Sequence, residues 1–140
     1  MDNYLNLQIK NNLSELKIVA QAFDNFKNFH HLPVKVSNAI DLALDEILNN
    51  IILYGYQDQD RHIIDIHISL EKDYIILEIE DDGKEFNPLE TPKPDIESPM
   101  NKRPVGGLGI HLTRNLMDEI NYSYENKRNS LLMKKKLKRG

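Results

Sequence analysis

The sequence predicts an α/β protein, because two different hydrophobic periods take turns along it. Tyr4 to Lys10, Ile63 to Leu70 and Tyr74 to Glu80 alternate apolar and polar side chains, as half-buried strands do. Between and after them, apolar residues recur three and four apart, which puts them on one face of a helix. At 140 residues the chain is long enough for one hydrophobic core and short for two, so a single domain over residues 1–140 is expected.

The elements follow in order. Ser14 is a candidate N-cap for a helix that carries Leu16, Val19, Ala20, Phe23 and Phe26 on one face. Pro33 suits the first turn of a second helix, with Val36, Ile40, Ala43, Leu44, Ile47, Leu48 and Ile51 at core spacing and Gly55 placed to end it. The strands at 63–70 and 74–80 join through Glu71-Lys72-Asp73 and predict a hairpin. Residues 84–105 break the pattern, with Pro88, Pro92, Pro94, Pro99 and Pro104 among charged residues. A loop of that length inside a small domain is usually functional or disordered. A helix over Gly109–Ile120 is expected next, then a hairpin of Tyr122–Glu125 and Ser130–Leu137 around Asn126–Asn129.

Composition removes several classes. A hydrophobic content of 40% with 29% charged residues is that of a soluble globular protein. The net charge of -4 argues against broad nucleic-acid binding. With no cysteine, disulfides and thiolate chemistry are excluded, which fits a reducing compartment. No apolar stretch approaches the roughly 18–20 residues of a membrane span. The start, Met1-Asp2-Asn3-Tyr4, lacks the basic and then apolar plan of a signal peptide, so a cytoplasmic location is expected.

Three features carry chemistry. Glu46 and Asn50 lie four apart in the apolar run Ala39–Tyr54, and so project from one face of a segment that otherwise favours burial. Buried polar groups need partners, and a metal ion with its phosphates or a reacting hydroxyl would be one. Taken alone, the pair fits equally a helix edge where both side chains reach water. In the second feature, strand parity puts Asp81 with Ile75, Leu77 and Ile79, and Asp82 with Ile76, Glu78 and Glu80. If the apolar face packs on the helices, Asp81 points inward, a good acceptor for an exocyclic amine such as that of adenine. Gly83 then lets the chain turn close to a flat ligand. A plain capping Asp-Gly turn is the simpler reading. Third, Gly106-Gly107-Leu108-Gly109 directly precedes a helical pattern. Converging backbone N–H groups at a helix N-terminus suit phosphates, although a hinge or simple helix entry also uses glycine. Neither a P-loop nor a Rossmann fingerprint is present.

In this order and spacing, Glu46-x-x-x-Asn50, Asp81-x-Gly83 and Gly107-x-Gly109 resemble the Bergerat-type ATP-binding module shared by gyrase, histidine kinases and MutL. Asp45 to Asn50, Asp81 to Pro88, Gly106 to Leu112 and Leu116-Met117-Asp118-Glu119, the last taken as part of the final helix, resemble the small bacterial anti-sigma factor serine/threonine kinases. The resemblance runs from about Ser14 to Leu137. It implies a two-layer α/β sandwich, with helices packed on one face of a mixed, mostly antiparallel sheet. It also implies ATP and Mg²⁺ as cofactors. Asn50 would coordinate Mg²⁺, and Asp81 with Gly83 would hold adenine. Gly107, Leu108 and Gly109 would close a lid of residues 86–105 over the phosphates. Glu46 would be the general base, and a partly buried setting would raise its pKa toward neutrality. Ser130 falls where the family often has a threonine near the adenine-binding aspartate.

By the same resemblance the partners are a sigma factor and a STAS-domain antagonist protein that is phosphorylated, with a homodimer expected and neither nucleic acid nor membrane bound directly. Glu85 departs from the family by replacing a second glycine, which leaves the adenine pocket's detail open, and Asn49 beside Asn50 leaves the metal ligand ambiguous. The five histidines show no shared face with ligand spacing. Two other classes stay open: a nucleotide-gated binding module without phosphotransfer, and a detached histidine-kinase catalytic domain.

Overall fold

The computed structural model describes residues 2–90 and 107–138. In chain order these form strand Tyr4–Lys10 (β1), helices Leu16–Phe29 (α1) and Val34–Tyr54 (α2), strands Ile63–Leu70 (β2) and Tyr74–Asp81 (β3), helix Gly107–Leu116 (α3), and strands Glu119–Glu125 (β4) and Arg128–Lys136 (β5). The strands make one sheet in the order β1-β2-β3-β5-β4. Alternation sends Ile64, Ile66, Ile68, Ile75, Leu77, Ile79, Leu131 and Met133 to one face, where they are buried with Val19, Phe23 and Phe26 of α1 and Ile40, Ala43, Leu44 and Leu48 of α2. This is the expected two-layer α/β sandwich.

Every ladder among the described strands is antiparallel, where a mixed sheet was expected. The connections explain it. Two helices separate β1 from β2 and return the chain in the opposite direction. The single crossover through α3 leaves β3 and β4 running the same way, but β5 inserts between them and is antiparallel to both. The β4–β5 turn is only Asn126-Lys127, both with positive φ (53° and 61°), the two-residue turn whose twist matches a hairpin.

Three local expectations are corrected. Ser14 is not an N-cap: it sits inside a 3₁₀ turn, Leu13–Glu15, and its N–H donates to Asn12 Oδ1 at 3.1 Å, so Asn12 is the capping side chain. Pro33 occupies the cap position of α2 rather than its first turn, with its carbonyl accepting from Ser37 N at 2.9 Å. The third helix ends at Leu116, not Ile120, so Asp118 and Glu119 are not helical. There the Asp118 N–H turns to Lys134 O at 2.9 Å and Lys135 Nζ donates to Leu116 O at 2.7 Å. Ile120 joins Tyr122 and Tyr124 as the inward side of β4.

Phe26 is fully buried at the α1–sheet contact. Phe26→Ala is expected to cost about 3–5 kcal/mol in urea unfolding, because the vacated volume refills only in part. A loss below about 1 kcal/mol would mean that the helix does not pack on the sheet as described.

Candidate functional site

Between α2 and the sheet opens a cleft of about 360 Å³, whose lining includes Asn50, Ile51, Ile79, Asp81, Tyr122 and Leu131. α2 supplies Asn50, with Glu46 one turn before it, both half-buried. β3 supplies Asp81 at its last position, where strand parity keeps it inward with 5% exposure while Asp82 faces solvent.

The Asp81 carboxylate is half committed. Its Oδ1 accepts from Gly83 N at 2.8 Å and from Asn129 Nδ2 at 3.1 Å, and its Oδ2 has no hydrogen-bond partner among the described residues. Burial pushes the carboxyl above its usual range, against the lowering effect of those two bonds. An acceptor with one free oxygen against an apolar wall fits a flat base bearing an amino group. Gly83 is held just behind it. A Cβ there would stand 2.5 Å from the Gly55 carbonyl oxygen, to which Lys84 N donates at 2.8 Å. The turn after β3 is thereby tied to the end of α2, with room only for glycine.

Asn50 Nδ2 donates to Glu46 O at 2.6 Å, which fixes the amide and leaves Oδ1 on its other side. A neutral, hard oxygen at a cleft fits Mg²⁺, which takes few protein ligands and keeps waters and phosphate oxygens. Asn49 instead donates to Asp45 O at 2.7 Å and Asp45 Oδ1 at 3.1 Å and is not part of the cleft lining. Glu46 is raised above the usual carboxyl range by burial, with the Asp45 charge adding to it. It lies against α3: a Cβ on Gly109 would overlap the Glu46 carboxylate. Gly107, Leu108 and Gly109 form the first turn of that helix, and buried Ile110 behind them joins the cleft lining.

Ser130 is corrected. It pairs with Glu80 and Ser123 on the opposite face of the sheet, since a residue one place from an inward position points outward. The residue opposite Asp81 is Asn129, which belongs to β5 and not to the turn expected over Asn126–Asn129. It is buried, and besides Asp81 its Nδ2 reaches Lys84 O at 2.9 Å and Gly83 O at 3.4 Å, while its Oδ1 accepts from Phe86 N at 3.1 Å and from the Tyr122 hydroxyl. Its signal was its parity, an amide two residues before inward Leu131. Past Glu90, the lid expected over 86–105 lies outside the described residues, as does Gly106; Phe86 and Pro88 line the cleft.

On the open face, cross-strand pairing gathers His67, Glu78 and Glu80, with ligand-type atoms within 4.8 Å of one another, a grouping that histidine spacing does not reveal. Protein partners meet it: Asn6 Oδ1 holds His67 Nδ1 at 2.7 Å, Arg128 Nε lies 3.7 Å from Glu80, and a hydrogen bond to Glu80, aided by burial, pushes Glu78 up to about 7. Among the described residues no helix is long and apolar enough to cross a membrane.

Comparison with known proteins adds to this geometry. The histidine kinase-like ATPase domain family matches residues 9–135. The anti-sigma F factor of Clostridium novyi (strain NT) is 33% identical over 108 residues, covering 71% of this chain and 70% of that protein. The anti-sigma F factor of Clostridium perfringens (strain SM101 / Type A) is 30% identical over 106 residues, 70% of this chain and 71% of that protein. The serine-protein kinase RsbW of Oceanobacillus iheyensis is 30% identical over 86 residues, 58% of this chain and 54% of that protein. Among solved structures, the Acinetobacter baumannii histidine kinase AdeS aligns with a TM-score of 0.52 at 17% identity, over 99% of this chain and 70% of that chain. That likeness concerns the fold.

The β3–β5 register gives one prediction and the buried carboxylate of Asp81 a second. Asn129→Ala removes a buried donor from Asp81 and from the Gly83 and Lys84 carbonyls, and is expected to cost roughly 1–3 kcal/mol in urea unfolding, whereas Ser130→Ala stays within about 0.5 kcal/mol. Equal losses would contradict the parity described. The second concerns pH. Because the folded protein raises the Asp81 pKa, ionised Asp81 opposes folding, and its cost fades as pH falls through the folded value. Asp81→Asn should therefore melt no lower than the wild type at neutral pH, with any advantage shrinking in acid; a melting series against pH checks this.

Proposed function

This chain belongs to the histidine kinase-like ATPase domain family, and on that premise we propose that it is an ATP- and Mg²⁺-dependent protein serine/threonine kinase that acts as an anti-sigma factor. The observation that carries the reading is the shared cleft: Asn50 and Asp81, from separate elements, line one apolar-walled space, with Glu46 a single turn away against the start of α3.

In this reading the chain is one ATP-binding domain, and Asp81 Oδ2 accepts a hydrogen bond from the adenine amino group while Gly83 keeps the neighbouring backbone out of the way. Asn50 Oδ1 would be the protein's ligand to Mg²⁺. Bound Mg²⁺ supplies positive charge to the phosphate oxygens during transfer. The backbone N–H groups of Gly107, Leu108 and Gly109, at the positive end of α3, face the phosphates. Glu46 takes the proton from a substrate serine or threonine hydroxyl as its oxygen attacks the γ-phosphorus and ADP leaves. Its raised pKa suits a base that works near neutral pH. Curated relatives carry the names anti-sigma F factor and serine-protein kinase, which supports a sigma factor as the bound partner. A STAS-domain antagonist as the phosphorylated substrate, a homodimer and a cytoplasmic location complete the proposal.

Glu46→Gln is expected to abolish phosphotransfer, a loss of at least about a hundredfold, while ATP binding persists. Its melting temperature should hold or rise, since a partly buried charge is removed. Asn50→Ala should weaken Mg²⁺-dependent ATP binding in calorimetry and leave any Mg²⁺-independent binding alone. Unchanged transfer by Glu46→Gln would sink the general-base role. Acid-labile phosphoprotein would point instead to a histidine acceptor.

A further inference from the structure

The face of the sheet turned away from the helices carries a second set of donors. His67 on β2 stands directly opposite Glu78 on β3, and Glu80 follows two places along on the same side. One ligand-type atom from each comes within 4.8 Å of the others, and all three residues are half-buried. The histidine is oriented for ligation. Asn6 Oδ1 on β1 lies 2.7 Å from His67 Nδ1, so that nitrogen donates and, in the neutral ring, Nε2 keeps its lone pair. Proteins commonly orient a histidine ligand in this way, with an outer oxygen on one ring nitrogen and the metal on the other. The carboxylates are placed to match. Glu78 and Glu80 hydrogen-bond to each other, which two carboxyl groups do only by sharing a proton, and a dication would release that proton to solvent and take its place. Arg128 does not close the site. Its guanidinium donates to Asp65 Oδ2 at 2.9 Å, while its Nε stays 3.7 Å from Glu80, beyond a hydrogen bond.

We propose that His67, Glu78 and Glu80 form a site for a divalent transition metal of the zinc type. One imidazole nitrogen and two carboxylate oxygens are donors that zinc takes at roughly 2.0–2.2 Å. Atoms around one such ion stand about 3.3 Å apart, a spacing that rotation of the two long glutamate side chains can reach. The imidazole selects against magnesium, which keeps to oxygen ligands. Three protein donors leave a fourth position for water or for a donor from another molecule. The ion staples β2 to β3, and Asn6 extends its hold to β1. Strand parity puts the site on the opposite side of β3 from inward Asp81. It is therefore separate from the nucleotide cleft, and the inference is independent of the kinase reading.

Zinc alone, titrated calorimetrically into the full chain without nucleotide, should fill one tight site per chain. His67→Gln and Glu78→Gln should each weaken it at least about tenfold, and Asn6→Ala, which removes no ligand, about tenfold. His31→Asn, at an exposed histidine elsewhere, should leave the affinity unchanged, as should an excess of Mg²⁺. In nitrogen NMR of the wild type, zinc should shift His67 Nε2 far more than Nδ1, a readout that does not depend on how any variant folds. Equal zinc affinity in the wild type and in His67→Gln would mean an adventitious ion only and would overturn the site. No tight binding by the wild type would overturn it as well, as would displacement by Mg²⁺ or NMR shifts confined to the other histidines.

Discussion

Asp81 and Asn129 face each other across the β3–β5 ladder, and the polar end of the cleft depends on that register. An ionised carboxylate placed among isoleucines is expensive unless its oxygens are met. Here the Asn129 amide meets one of them and, with its remaining capacity, gathers Gly83, Lys84, Phe86 and Tyr122 around the same point. A shift of one residue in the pairing would turn Asn129 to solvent and bring Ser130 inward, with too few donors to hold the turn. Fold and site are therefore specified by the same contact.

The other half of the cleft is built on α2, and here the helix backbone does the holding. One amide hydrogen of Asn50 is tied to the Glu46 carbonyl, so one polar side chain is oriented by the turn that carries the other. Glu46 is kept partly out of water by the helix start that presses on it, which is why its proton affinity rises. The backbone link from Gly55 to Lys84 then fixes the distance between the end of α2 and the turn after β3. Two rigid elements and a short tether leave the cleft little freedom to collapse, as a preformed ligand site requires.

Much of this was legible in the sequence because it is local. The spacing of Glu46 and Asn50 survives folding unchanged, since a helix preserves it. The inward turn of Asp81 follows from alternation with three isoleucine or leucine neighbours. What local periodicity does not carry is the partner. Asn129 matters only through a strand pairing with a residue forty-eight positions earlier in the chain, and the family resemblance pointed to its neighbour Ser130, which faces the other side of the sheet. The end of α3 differs from its expected place for a related reason: Leu112, Leu116 and Ile120 keep a helical period across a point where a hydrogen bond from Asp118 N to Lys134 O and one from Lys135 Nζ to Leu116 O turn the backbone into strand.

β5 lies later in the chain than every strand it joins, yet it sits inside the sheet, between β3 and β4. During synthesis the earlier strands and both long helices emerge before the element that completes the sheet. Until β5 pairs with β3, Asp81 has no Asn129 and the β3 edge stays open, a template for pairing with other chains. The nascent protein thus has no half-working version of the cleft: it gains the pocket in the same step in which it closes its most vulnerable edge. A ligand that recognises the finished pocket would bind only chains that have completed this insertion, and would draw the folding equilibrium toward them.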